Sequence, residues 1–329
     1  MKLSTTPCVL IVAVVLLYIS VHYAPHSLYE GQQRVRTVRC ICSNFTSNFT
    51  TMRAANPSLA SSTAVAQTKE KLGPTFLLIL VPIRPQALEQ RTLIRTTWYK
   101  GFSDSKDVML RYLMGLKGLN VSDISRLHDE NRQYRDLVFM EDFEEGYGAL
   151  TNKTALLFRW AYENVDYTYL MKCDDDTFVY VYNMIVELGK RPTTGRLYYG
   201  AMVLNTTPKL NPNSKWRDTT WDLAKTYLPY ARGGCYILSA DLVTLMAKEF
   251  RHLKWYPNED VSVGSWLAGF DYERRDDDLF CYNTKTKNVH PCRKDYRVAH
   301  LFHGQSWPKL QQLFHELQSQ IPVVHVTLD

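Results

Sequence analysis

Three consecutive aspartates, Asp174, Asp175 and Asp176, close an apolar run, Tyr167-Thr-Tyr-Leu-Met-Lys-Cys173. Carboxylates this close repel one another unless a cation neutralises them. Their hard oxygens suit Mg2+ or Mn2+, either of which can bridge the phosphates of a nucleotide. A helix cap with two solvated neighbours is the plainer alternative. A second triplet, Asp276 to Asp278, follows Glu273-Arg274-Arg275 instead of an apolar strand, and reads as a charged loop. Context, not composition, singles out the first triplet.

Two further pairs have spacing that could serve a site. Arg91 and Arg95 stand four apart in RTLIRTTW, so a helix puts them on one face. There they could meet a base, ribose or phosphate, or simply solvent. Glu259 and Asp260 precede an apolar stretch. Adjacent acids at a helix start often serve only its dipole. In a cleft, one of them could instead take a proton from an incoming hydroxyl.

These groups need elements to hold them. Buried-strand runs at 75–81, 108–114, 137–140 and 167–173 alternate with helical patterns at 88–98, 122–134 and 150–164. Strict alternation predicts an α/β domain with a mainly parallel sheet. Ligands of such sheets gather at the carboxyl ends of the strands, where the first triplet falls. After residue 195 aromatics and turns increase, as a substrate-binding portion requires. Both halves are expected to share one catalytic domain, 74–329.

The 329 residues are 45% hydrophobic and 12% aromatic, a globular composition. The net charge of +6 is spread along the chain, and no basic run points to nucleic acid. Residues 8–24 carry no formal charge and would make a helix roughly 26 Å long, a short membrane span. Lys2 precedes that run, which predicts a cytosolic tail (1–7), an anchor (8–24), a polar stem (25–73) and a lumenal body. A cleaved signal peptide is the alternative. Sequons begin at Asn44, Asn48, Asn120, Asn152 and Asn205. Of seven cysteines, Cys281 and Cys292 bracket a polar loop and are the first choice for a disulfide; Cys40 and Cys42 could link two stems into a homodimer.

Four motifs together resemble the β-1,3-glycosyltransferases: RTLIRTTW, KCDDDTF, the segment KWRDTTWDLAKTYLPYARGGCYILSADLV from Lys215 to Val243, and NEDVSVGSWLA. They recur in the family's order and spacing across residues 76–306. The likeness is greatest to galactosyl-transferring members that build the glycosaminoglycan linkage region. The resemblance implies a GT-A fold, an inverting mechanism, UDP-galactose as donor and a glycan or proteoglycan acceptor. It also implies Mn2+ (or Mg2+) and a type II protein of the Golgi membrane. Asp176 would ligate the metal, while Asp174, Asp175, Arg91, Arg95 and Lys153 would face the donor. Asp260 would be the catalytic base, with Glu259 beside it near the acceptor.

The family also has a late histidine ligand. Counting from Cys292 and Tyr296 favours His300; the following Gly304-Gln-Ser306 and a helix from Pro308 favour His303, placed first here. The acceptor groove would include Trp216 and Tyr230, because sugar C–H faces stack on aromatic rings. Gly233 and Gly234 would let backbone approach the ligand, or merely make a turn. Ala149 replaces the Asn of the family's N-L-T-x-K segment and leaves a sequon at Asn152, expected to stay unglycosylated inside a helix. Transfer of N-acetylglucosamine on the same scaffold is the alternative, as is a non-catalytic, membrane-anchored carbohydrate-binding protein.

Overall fold

The computed structural model describes residues 70–190, 195–282, 296–300 and 306–319. The predicted anchor, most of the stem, Asn44, Asn48, Cys292 and His303 lie outside the described residues. Among the described residues, no helix is long and apolar enough to cross a membrane.

The first half alternates as the residue pattern requires: β1 (Leu72–Pro82), α1 (Leu88–Thr96), β2 (Val108–Gly115), α2 (Val121–Tyr134), β3 (Leu137–Met140), α3 (Leu150–Asn164) and β4 (Val165–Cys173). After β4 come β5 (Phe178–Val179), α4 (Val181–Gly189), β6 (Leu197–Val203), β7 (Tyr230–Ser239) and α5 (Ala240–Glu249). The remaining elements are α6 (Glu259–Leu267), β8 (Glu273–Asp276), β9 (Phe280–Cys281), β10 (Val298–Ala299) and α7 (Trp307–Ser319).

Seven strands form one sheet in the order β3-β2-β1-β4-β7-β6-β8. Only β7 runs against its neighbours, so the sheet is mainly parallel, as expected. Successive residues of β1 serve opposite faces. Leu77, Ile79 and Val81 pack with α1, α2, α4 and α7, whereas Leu78 and Leu80 pack with α3, α5 and α6. Cover on both faces is why this strand is apolar without alternation. The second aspartate triplet is not simply a loop: Asp276 ends strand β8 and its carboxylate accepts from the Met202 N–H at 2.8 Å.

The topology gathers the candidate residues at one edge. Parallel β1, β2 and β4 end there, and reversed β7 begins there. A three-stranded sheet, β5-β10-β9, sits beside that edge and pairs Ala299 with Phe178. That register brings His300 next to Thr177, although 123 residues separate them.

Candidate active site

The turn after β4 is held by its own backbone. The Asp174 N–H donates to Gly234 O at 2.9 Å, and the Thr177 N–H to Asp174 O at 3.2 Å. The Thr177 hydroxyl lies 3.1 Å from Gly234 O, to which it donates, and 2.7 Å from His300 Nδ1. His300 Nδ1 also stands 3.4 Å from Asp176 Oδ1, so the imidazole lies directly against the acid turn. Burial lowers the His300 pKa and favours the neutral ring that metal binding needs.

One oxygen each of Asp174 and Asp176 and one nitrogen of His300 all lie within 4.8 Å of one another. Two carboxylates and an imidazole suit a divalent cation such as Mn2+. Asp175 supplies a second sign of fit. Its pKa is pushed up to about 7, first by burial and then by the charges of Asp176 and Asp174, with Arg84 opposing. A bound cation would relieve that repulsion. Among the described residues, His300 is the histidine beside the aspartates. The structure also places Asp174 in two roles, because its Oδ1 accepts a 2.6 Å bond from Lys172.

The Glu259–Asp260 pair opens α6, as the residue pattern suggests, and faces β7. Asp260 Oδ2 accepts the Gly233 N–H at 3.2 Å, and its Oδ1 the Val261 N–H at 2.9 Å. Burial first, then the neighbouring Glu259 charge, raises the Asp260 pKa to about 7; the two N–H groups and Lys172 pull it down. Such a carboxylate is a fair base near neutrality. Glu259 differs from expectation. It is buried, accepts from the Tyr236 hydroxyl at 2.5 Å and stands 3.4 Å from Lys172 Nζ, so it braces the site and does not present itself to an acceptor.

Gly233 and Gly234 serve close approach within the protein. A Cβ on Gly233 would stand 3.4 Å from both Asp260 Oδ2 and Glu259 Oε2. One on Gly234 would stand 2.6 Å from His300 Cγ. Tyr230, two turns of pleat earlier on β7, has its pKa pushed up to about 12 by burial and then by the Asp260 charge, which places its hydroxyl in the same field.

The segment between β6 and β7 is organised around buried Asp218. Its Oδ1 accepts from the Thr220 and Trp221 N–H groups at 2.8 and 3.1 Å, and its Oδ2 from the Tyr227 hydroxyl at 3.2 Å. Asn258, at the start of α6, donates to Trp216 O at 3.2 Å and ties this segment to Asp260. Trp216 is 45% exposed, and the ammonium groups of Lys209 and Lys215 lie over its ring at 4.3 and 4.6 Å from the centroid.

The two arginines are a correction. They do share one face of α1, but that face is turned inward. Arg91 is 1% exposed and grips Glu130 of α2 with two bonds of 2.7 and 2.6 Å. Its remaining nitrogen donates to Arg84 O and Pro85 O at 3.2 Å. Arg95 pairs with Asp136 through two 2.8 Å bonds and with Glu130 at 2.7 Å. A donor diphosphate would have to break this network: Arg91 braces the loop after β1, and Arg95 ties α1 to Glu130 and Asp136. Lys153 is likewise engaged, donating to Ile83 O at 2.7 Å and Glu145 at 2.6 Å; burial lowers its pKa, and Glu145 and then the Asp175 charge oppose that shift.

Two contributors escaped the sequence reading. Exposed Arg84, on the loop that Arg91 braces, acts on Asp175, and Lys172 lies between the acid clusters. Lys172 immediately precedes Cys173 and the triplet, a placement that could have flagged it. Asn120 is exposed and caps α2, its Oδ1 accepting the Asp123 N–H at 2.9 Å; Asn205 is exposed at φ 57°, and Asn152 is exposed on α3. Cys281 ends β9, and its expected partner lies outside the described residues.

Comparison with known proteins identifies relatives of the chain. Residues 89–278 match the galactosyltransferase family. The mouse (Mus musculus) β-1,3-galactosyltransferase 6 is 33% identical over 262 residues, covering 76% of this chain and 79% of that protein. Mouse β-1,3-galactosyltransferase 1 is 30% identical over 279 residues, covering 80% and 83%. A solved structure of an LgtC mutant aligns with 75% of this chain and 98% of its own, at 11% identity and a TM-score of 0.39, too loose to bear on the site. By the family match and the two relatives, this chain belongs to the β-1,3-galactosyltransferase family.

Proposed function

We propose that the chain is an inverting transferase that moves galactose from UDP-galactose to the 3-hydroxyl of a terminal sugar, in a GT-A type domain. The observation that carries this reading is the meeting, at one sheet edge, of a cation-ready Asp174, Asp176 and His300 set with a base-competent Asp260. Gly233 and Gly234 join the two halves. A divalent cation, Mn2+ by the donor set, would offset the charge on the departing diphosphate. Asp176 and His300 would hold it, with an oxygen of Asp174 in reach.

Asp260 accepts the proton of the acceptor hydroxyl as that oxygen attacks the anomeric carbon. The bond from that carbon to the diphosphate oxygen breaks on the opposite face, and its electron pair leaves with UDP. An α-linked donor thus gives a β product. Trp216 and Tyr230 are proposed to line the acceptor groove, and Asp175 and Arg84 to face the donor. The acceptor we propose is galactose of the proteoglycan linkage region, a reading supported by the motif likeness; the relatives' names support β-1,3 galactosyl transfer. We also place the protein in the Golgi membrane, anchored by 8–24, on the strength of its uncharged run.

The test is UDP release by the full chain from UDP-galactose with a galactose-β-1,4-xylose acceptor, with and without Mn2+. Acceptor- and Mn2+-dependent release supports the proposal. Equal release without acceptor, or release only from UDP-N-acetylglucosamine, refutes it.

A further inference from the structure

Strand β4 carries Tyr-Leu-Met-Lys-Cys into the acid turn, and its alternation sends Lys172 to the face shared by Leu170, α3, α5 and α6. Lys172 is 4% exposed. A cation there costs several kcal/mol in lost hydration unless it is fully partnered. Its three N–H donors meet three acceptors: Asp174 Oδ1 at 2.6 Å, Gly233 O at 2.6 Å and Glu259 Oε2 at 3.4 Å. Burial opposes the charged form, but Asp174 and Glu259 overcome it, and the ammonium stays charged.

Each partner belongs to a different part of the reaction. Asp174 heads the turn that offers oxygens to a cation. Glu259 opens the helix that carries Asp260. Gly233 is the residue whose N–H holds Asp260 Oδ2. Reacting atoms must meet within about 3–3.5 Å, and a 1 Å misplacement can lose about 100-fold in rate. Donor and base sit on separate elements, so something must set the distance between them.

We infer that Lys172 is a positioning residue for the transfer, its ammonium tying the metal-side turn to the base-side helix. This rests on the function proposed above. The alternative is that Lys172 only balances buried charge. The two separate in a variant that restores balance without the tether. Lys172→Met leaves Glu259 and Asp174 as facing anions. Lys172→Met with Glu259→Gln removes one charge of each sign, and Asp174, its side chain 37% exposed, can be hydrated.

Full-length K172M, K172M/E259Q, K172R and E259Q are compared by metal-free thermal unfolding and by kcat and KM for donor and acceptor. Positioning predicts that K172M loses both stability and rate. K172M/E259Q should regain most of the unfolding midpoint, yet keep a kcat about 100-fold below E259Q alone, with acceptor KM changed far less. A double variant with the kcat of E259Q overturns the role. Should the double variant not fold, K172R decides. Charge kept in a different shape must still lower kcat about tenfold or more at an unchanged midpoint, and a wild-type kcat overturns the role. Wild-type protein that transfers no galactose refutes the function itself, whereas an active wild type with an active double variant refutes only Lys172.

Discussion

Replacing Glu259 with Gln should change the rate at acid pH by acting on a neighbour. Asp260 must be ionised to accept a proton, and its pKa is held at about 7 by burial and then by Glu259. Below that value the carboxyl is neutral. With donor and Mn2+ saturating, kcat/KM for the acceptor should therefore fall about tenfold per pH unit below about 7 and level off above it. Each carboxylate oxygen stands 3.4 Å from where a Gly233 Cβ would be, so the two charges are at most about 7 Å apart. At that separation and an effective dielectric of about 20–40, they repel by about 1–2.5 kcal/mol. Removing the Glu259 charge should lower the acid limb by about one pH unit or slightly more. Lys172, released from Glu259, pulls in the same direction. Initial rates of UDP release across about pH 5 to 8, for wild type and E259Q, measure the shift. A limb that stays put or moves upward refutes either Asp260 as the titrating base or Glu259 as its perturber.

Asp260→Asn should lower kcat about 10²- to 10⁴-fold while calorimetry finds UDP and Mn2+ binding intact; lost UDP binding would assign Asp260 to the donor. Gly234→Ala puts a methyl 2.6 Å from the His300 ring. It should destabilise by about 1–3 kcal/mol and raise the Mn2+ concentration for half-maximal rate by about tenfold or more; an unchanged Mn2+ requirement would remove His300 from the cation site. Arg91→Ala should destabilise the fold by about 3 kcal/mol, because Glu130 loses a buried partner. Donor KM should hold, and a raised donor KM at an unchanged melting temperature would return Arg91 to the ligand.

Much of the frame was readable because β1 to β4 are buried on both faces. Residues 137–140 and 150–164 are found with the same limits, and the other early elements within three residues. The aspartate turn was readable because it follows directly on an apolar strand. The roles of Arg91 and Arg95 were not, since Glu130 and Asp136 lie about forty residues downstream and no local pattern announces an inward-facing pair. Glu259 misled for the same reason: its partners, Tyr236 and Lys172, come from β7 and β4. His300 is placed by the pairing of β10 with β5, each only two residues long, too short to leave a periodic trace.

That pairing has a consequence for biogenesis. Asp174 and Asp176 emerge from the ribosome more than a hundred residues before the imidazole that completes their set. A nascent chain can raise its sheet and acid turn while still lacking the nitrogen donor. On the proposed function, metal capture would be a finishing step of synthesis, and stalled chains ending before Arg297 should hold Mn2+ more weakly than released ones. Chains cut short in this way would display donor-side acids and base without being able to fire.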